Sequence, residues 1–97
     1  MAEIVISRRA RDDFKRIWHY IALDNEQAAD RVLLAIDAKI KRLRAFPEIG
    51  AVRNDIRSNT RILVHGSYLV LYEYHRERGI IEVVAVVEGM RDLGEAF

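Results

Sequence analysis

Residues 80–97 read IIEVVAVVEGMRDLGEAF, and the reading of this stretch decides the fold. A strand with one wet face alternates apolar and polar residues, whereas Val83, Val84, Ala85, Val86 and Val87 run on without a polar break. Such a run belongs to a strand sheltered on both sides. It stops at Gly89, and the charged pair Arg91-Asp92 follows. Two questions arise: what covers the second side, and what the pair serves.

Working outward, two further strands precede this one, Thr60 to His65 and Tyr68 to His75. Gly66-Ser67 between them suits a two-residue turn with glycine first. Gly79 predicts a three-residue loop with a bulge between the second and third strands. The rival, a two-residue turn at Glu77-Arg78, would set Glu73 directly opposite Glu82, a repulsive pair. In the bulged register one face carries Arg61, Leu63, His65, Tyr68, Val70, Tyr72, Tyr74, Glu82, Val84 and Val86. The other carries Ile62, Val64, Leu69, Leu71, Glu73, His75, Ile81, Val83, Ala85 and Val87. Both faces are mainly apolar.

Upstream, Glu3 to Ile6 is a short strand. Ala10, Phe14, Ile17, Trp18 and Ile21 then form one helical stripe, with Ser7 as N-cap and Asp12, Asp13, Lys15, Arg16 and His19 off the stripe. Asp24 with Gln27 has the shape of a capping box opening a second helix. Its stripe is Ala29, Val32, Leu33, Ile36, Ile40 and Leu43, and Pro47 and Gly50 end it. The stretch EIGAVRNDIRSN, residues 48–59, reads as a loop. One helical hairpin can cover one face of the sheet, and no remaining segment is large enough for the other. A patch of that size marks a partner site.

The 97-residue chain allows one domain over residues 1–97. Net charge is +1, too small to announce a nucleic-acid binder. Thirteen Arg against three Lys favour bidentate contacts with carboxylates. Absence of cysteine excludes disulfides and thiolate metal sites. No signal peptide and no membrane span are expected, which suits the cytoplasm.

The order strand, two helices, three-stranded meander resembles the ParE/RelE toxin superfamily of bacterial toxin–antitoxin modules. The resemblance rests on SRRARDDFKRIWHYIA, AADRVLLAIDAKIKRLRAFPEIG, TRILVHGSYLVLYEY and VVEGMRDL, and covers nearly the whole chain. Ile17, Tyr20 and Ile21, the Leu43–Pro47–Gly50 spacing, the Tyr68–Tyr72 phrase and Arg91-Asp92 look like the ParE branch in particular. The resemblance implies an α+β domain of order β-α-α-β-β-β, with the helical hairpin on one face of a small, mostly antiparallel sheet. It also selects the face: Leu63, Val70, Tyr72, Val84 and Val86 would meet Phe14, Ile17, Trp18, Ile21, Val32, Leu33, Ile36 and Ile40. A cognate, DNA-binding, ParD-like antitoxin would hold the toxin in a hetero-oligomer, its tail ordering on the uncovered face. The expected antitoxin contacts are Ile62, Leu69, Leu71, Val83, Ala85, Val87 and Arg91.

ParE-like members inhibit DNA gyrase, whereas RelE-like members cut messenger RNA on the ribosome. RNA cleavage through the 2′-hydroxyl needs a base, an acid and cations to hold the developing phosphate charge. RelE-like enzymes place two lysines, two arginines and a terminal tyrosine there. On this chain the lysine positions fall near Thr60 and Ile62, one arginine becomes Leu69, and the tyrosine becomes Phe97; only Arg91 keeps its type. No catalytic residues, metal ligands or cofactor are expected. Glu73 and His75, two apart on a strand, offer an acid–base pair, though solvated residues near a hairpin tip explain them better. His19, His65 and His75 have no metal-like spacing. Arg61, Arg91, Asp92 and Phe97 are target-binding or structural candidates, with Arg61 facing Tyr72. The expected function is gyrase inhibition by protein contact, without direct DNA or membrane binding. The alternatives are a ribosome-dependent ribonuclease and a non-catalytic binding module or inactive toxin.

Overall fold

The computed structural model describes residues 2–89. Strands β1 (Glu3–Ile6), β2 (Ala51–Val52), β3 (Thr60–His65), β4 (Tyr68–His75) and β5 (Ile80–Glu88) form one sheet in the order β1-β5-β4-β3-β2. Helices α1 (Arg8–Ala22) and α2 (Glu26–Lys41) pack as a hairpin on one of its faces. Only β1 with β5 is parallel; the other pairings are antiparallel. This is the expected α+β architecture with one addition. Ala51 and Val52, within the expected loop, pair with Ile62 and Arg61 as a short edge strand.

Local sequence chemistry sets the helix ends. Ser7 is extended, and its side chain accepts from Ala10 N at 3.0 Å, capping α1. The cap of α2 is Asn25 rather than Asp24: the Asn25 side chain accepts from Ala28 N. Asp24 N–H still bonds back to Ile21 O, so Asp24 belongs to the last turn of α1. Trp18 Nε1 donates to Asp30 Oδ1 at 2.8 Å and ties the helices together.

The β4–β5 register answers the first question and corrects the expected faces. The ladder slips by one residue at Leu71/Tyr72, so Leu71 faces Ala85 while Tyr72 faces Val83. A bulge there turns both Val84 and Ala85 toward the second face. Val83, expected on the second face, is wholly buried against the helices with Ile81 and Tyr72. Val84, expected under the helices, packs on the second-face cluster instead. At the hairpin tip a 3-10 turn over Arg76–Arg78 closes on Gly79 in the left-handed region, and Glu73 does stand opposite Glu82. The bulge is present, but inside the ladder and not at the tip. The first hairpin is as expected: Gly66 takes φ 58°.

The sheet thus separates two cores. On the helix side Ala10, Ile17, Ile36, Ile40 and Leu43 meet Val70, Tyr72, Ile81, Val83 and Val86. On the second side Ile62, Leu69, Leu71, Ala85 and Val87 are buried together, with Ile56 from the 53–59 loop and Val84 packed against them. The expectation of an uncovered second face is therefore not met. Leu71 and Ala85 are 0% exposed and Leu69 and Val87 only 4%, so this face is a second core within the chain.

Candidate functional site

At the end of the sheet beside α1, Arg9, Arg16, Ile17, Tyr20, Tyr68, Val87 and Glu88 line a groove of about 540 Å³. It exists because β1 is too short to follow β5 beyond Val83. Past that point α1 serves the β5 edge. Ser7 Oγ donates to Val84 O at 2.8 Å, and Asp13 Oδ2 accepts from Val86 N at 2.9 Å. Asp13 is fully buried and also receives Arg9 Nε at 3.0 Å and Arg16 at 2.8 Å. A buried carboxylate demands such partners, and in return it fixes both guanidinium stems along the groove wall. Tyr68 lies across from Glu88, and burial together with that carboxylate raises its hydroxyl pKa.

Around the other edge of the sheet a buried clamp holds the loop that leads into β2. The Tyr72 hydroxyl donates to Pro47 O at 2.8 Å and accepts from Gly50 N at 2.9 Å. A Cβ on Gly50 would lie 2.7 Å from both Ile62 O and the Tyr72 ring, so only glycine fits. Arg61 NH1 donates to Glu48 O and Gly50 O at 2.9 Å each, and Glu48 also pairs with Arg76. Arg61 faces Tyr72 as expected, and its carboxylate partner is Glu48 in the loop. Its contacts give it an architectural role.

Of the expected antitoxin contacts, Ile62, Leu69, Leu71, Ala85 and Val87 do come together, as the second core; Val83 lies on the opposite side of the sheet. Val87 alone of these also lines the groove. Arg91, Asp92 and Phe97 lie outside the described residues. Thr60, Ile62 and Leu69, which stand where RelE-like enzymes would carry cations, are all buried. At the tip of the second face Glu73, His75 and Glu82 converge, with Arg57 3.6 Å from Glu73.

Two of these features escaped the sequence reading. Asp13 reads as a polar residue off the apolar stripe, yet it lies three residues after Ala10 and four before Ile17, which puts it on the buried side. Glu82 was separated from Glu73 by the register argument, so the three-residue cluster was not seen.

Comparison with known proteins gives the same class as the fold. Residues 4–93 match the ParE toxin of the type II toxin-antitoxin system, parDE. Among solved structures, the chromosomal ParDE toxin–antitoxin system of P. aeruginosa superposes with a TM-score of 0.76 at 20% identity, covering 92% of this chain and 97% of that one. The RelBE2 complex of Mycobacterium tuberculosis gives 0.67 at 20% identity over 90% and 96% of the two chains. The E. coli RelBE complex gives 0.67 at 14% identity over 94% and 100%. No curated protein matches by sequence. The chain belongs to the ParE toxin family of type II toxin–antitoxin systems. No helix among the described residues is long and apolar enough to cross a membrane.

Proposed function

We propose that this toxin arrests growth in the cytoplasm by binding DNA gyrase, without turnover, and that a ParD-like antitoxin silences it. Membership in the ParE family supports the gyrase target over the ribosome. The observation that carries the non-enzymatic reading is the burial of Thr60, Ile62 and Leu69. Side chains sealed in a core, and none of them cationic, cannot hold the charge that develops on a scissile phosphate.

The antitoxin reading rests on the family and on the groove beside α1. Tyr20, which lines the groove, is 70% exposed, and Leu23 and Leu34 are further exposed apolar side chains of the helical hairpin. An amphipathic antitoxin segment would lay its apolar side chains along Ile17, Tyr20 and Tyr68 and its carboxylates toward Arg9 and Arg16. That placement replaces the second-face docking expected from sequence, since the second face is already buried.

The experiment is a pair of assays on the purified chain. Gyrase supercoiling should fall as the chain is added and recover on addition of the antitoxin, while messenger RNA in a translating ribosome system stays intact. Cleaved messenger RNA with normal supercoiling would overturn the proposal in favour of the ribonuclease. Inactivity in both assays would leave a binding module.

A further inference from the structure

One row of the second face is not used by the toxin reading. Thr60 opposes Glu73 in the β3–β4 ladder, and Glu73 opposes Glu82 in the β4–β5 ladder. Directly opposed residues share a face, with Cβ atoms about 4.5–5.5 Å apart. His75, two residues beyond Glu73 on β4, leans to the same side. Its Nε2 lies 3.8 Å from Glu73 Oε1 and 3.8 Å from Glu82 Oε1. One donor atom from each of the three falls within 4.8 Å of the other two.

Those approaches are too long for hydrogen bonds. The imidazole and the two carboxylates point at a shared centre without closing on one another. The Glu73 side chain is only 14% exposed, and its second oxygen meets Arg57 at 3.6 Å. Glu82 stands opposite Glu73 and approaches His75. On the β3 side of Glu73, away from Glu82, the Thr60 hydroxyl is buried and has no hydrogen-bond partner among the described residues. Two carboxylates, one of them largely withdrawn from solvent, with Arg57 at Glu73 alone, leave a site of net negative charge.

We infer that Glu73, His75 and Glu82 bind a first-row divalent cation of mixed nitrogen and oxygen preference, with Zn²⁺ the representative ion. One imidazole and two carboxylates form a donor set that zinc accepts, whereas calcium and magnesium take oxygen and copper(I) takes sulfur. Zinc bonds of about 2.0–2.2 Å place tetrahedral donors roughly 3.3–3.5 Å apart. Side-chain rotations that bring the tips together, by up to about an ångström at the widest pair, close the site. Three protein donors leave a fourth position for water. Because the donors come from both strands, the ion fastens the β4–β5 hairpin at its tip.

The test is calorimetric titration of zinc chloride into the purified full chain near neutral pH, with thermal melting in parallel. A double His19→Ala/His65→Ala variant removes the other histidines as binders. The wild type and this double variant should each take up one zinc per chain and melt higher with metal. His75→Ala and Glu82→Gln should each bind about tenfold more weakly or worse and lose the metal-dependent rise. His75 and Glu82 are partly exposed, so both variants should keep the wild-type circular dichroism without metal. No zinc uptake by the wild type, uptake lost with His19 and His65, or equal affinity in His75→Ala and Glu82→Gln would each show an ordinary ion-pair cluster and overturn the assignment.

Discussion

Asp13 receives three donors in a place without solvent, two from arginines on its own helix and one from the Val86 amide of β5. Replacing it with alanine strands a buried N–H and releases both guanidiniums, so Asp13→Ala should lower stability by about 1–3 kcal/mol. Asp13→Asn keeps an oxygen for Val86 and should cost less; urea unfolding of the two variants orders them. Tyr72 acts in the same way at the opposite edge, as donor to Pro47 and acceptor from Gly50. Burial raises its hydroxyl pKa above the usual tyrosine value. A raised folded value means that the folded state holds the proton more tightly. That stability is fully present below the unfolded pKa of about 10 and is lost as pH rises through the folded value. Tyr72→Phe should therefore be less stable at neutral pH by about 1–3 kcal/mol and show a shallower alkaline decline. Melting curves on both sides of pH 10 decide this, with Tyr68, whose pKa is also raised, supplying the residual slope. The hydroxyl's partners were hidden in the sequence because they are backbone atoms of a loop.

Most of the secondary structure was legible because its periodicities are strong. The stripe from Ala10 to Ile21, the Ser7 cap and the Gly66 turn each have a local cause. The phase of β5 was not legible. In a run from Val83 to Val87 every residue is apolar, so no alternation records where a bulge inverts the faces. Glu73 and Glu82 were the wrong guide. Their direct opposition is tolerated because His75 and Arg57 stand beside them. The corrected register has a sharp consequence. Val83→Asp would bury a charge under the helices and should abolish the folded state, since an unpaired buried charge outweighs a stability of about 5–15 kcal/mol. Val64→Asp, at a position 53% exposed on β3, should leave circular dichroism unchanged. Leu69→Asp should resemble Val83→Asp and not a partner-contact variant, because Leu69 is core.

Across the whole molecule, the topology and the family were readable from the order of the elements, while the bearing surface was not. Counting helices against faces led to a bare second side. The 53–59 loop, which lacks periodicity, nonetheless delivers Ile56 to that side. Tyr20 leaves apolar area in the groove beside α1, where β1 runs out, and Phe46, Ile49, Val52 and Val64 are exposed elsewhere. An inhibitor that works through such a surface is consumed stoichiometrically. Under the proposed gyrase binding, supercoiling should titrate to an end point set by the amount of gyrase, and longer incubation should not deepen it, as it would for a nuclease. The parallel pairing of β1 with β5 carries its own consequence for how the toxin is born. Ser7 and Val84 are 77 residues apart, yet they are hydrogen-bonded. β1 must wait for β5 before it has a neighbour, so a nascent chain carries its helical hairpin early and its completed sheet only once β5 has been made. Translation interrupted before β5 should then release fragments that cannot complete the sheet and do no harm.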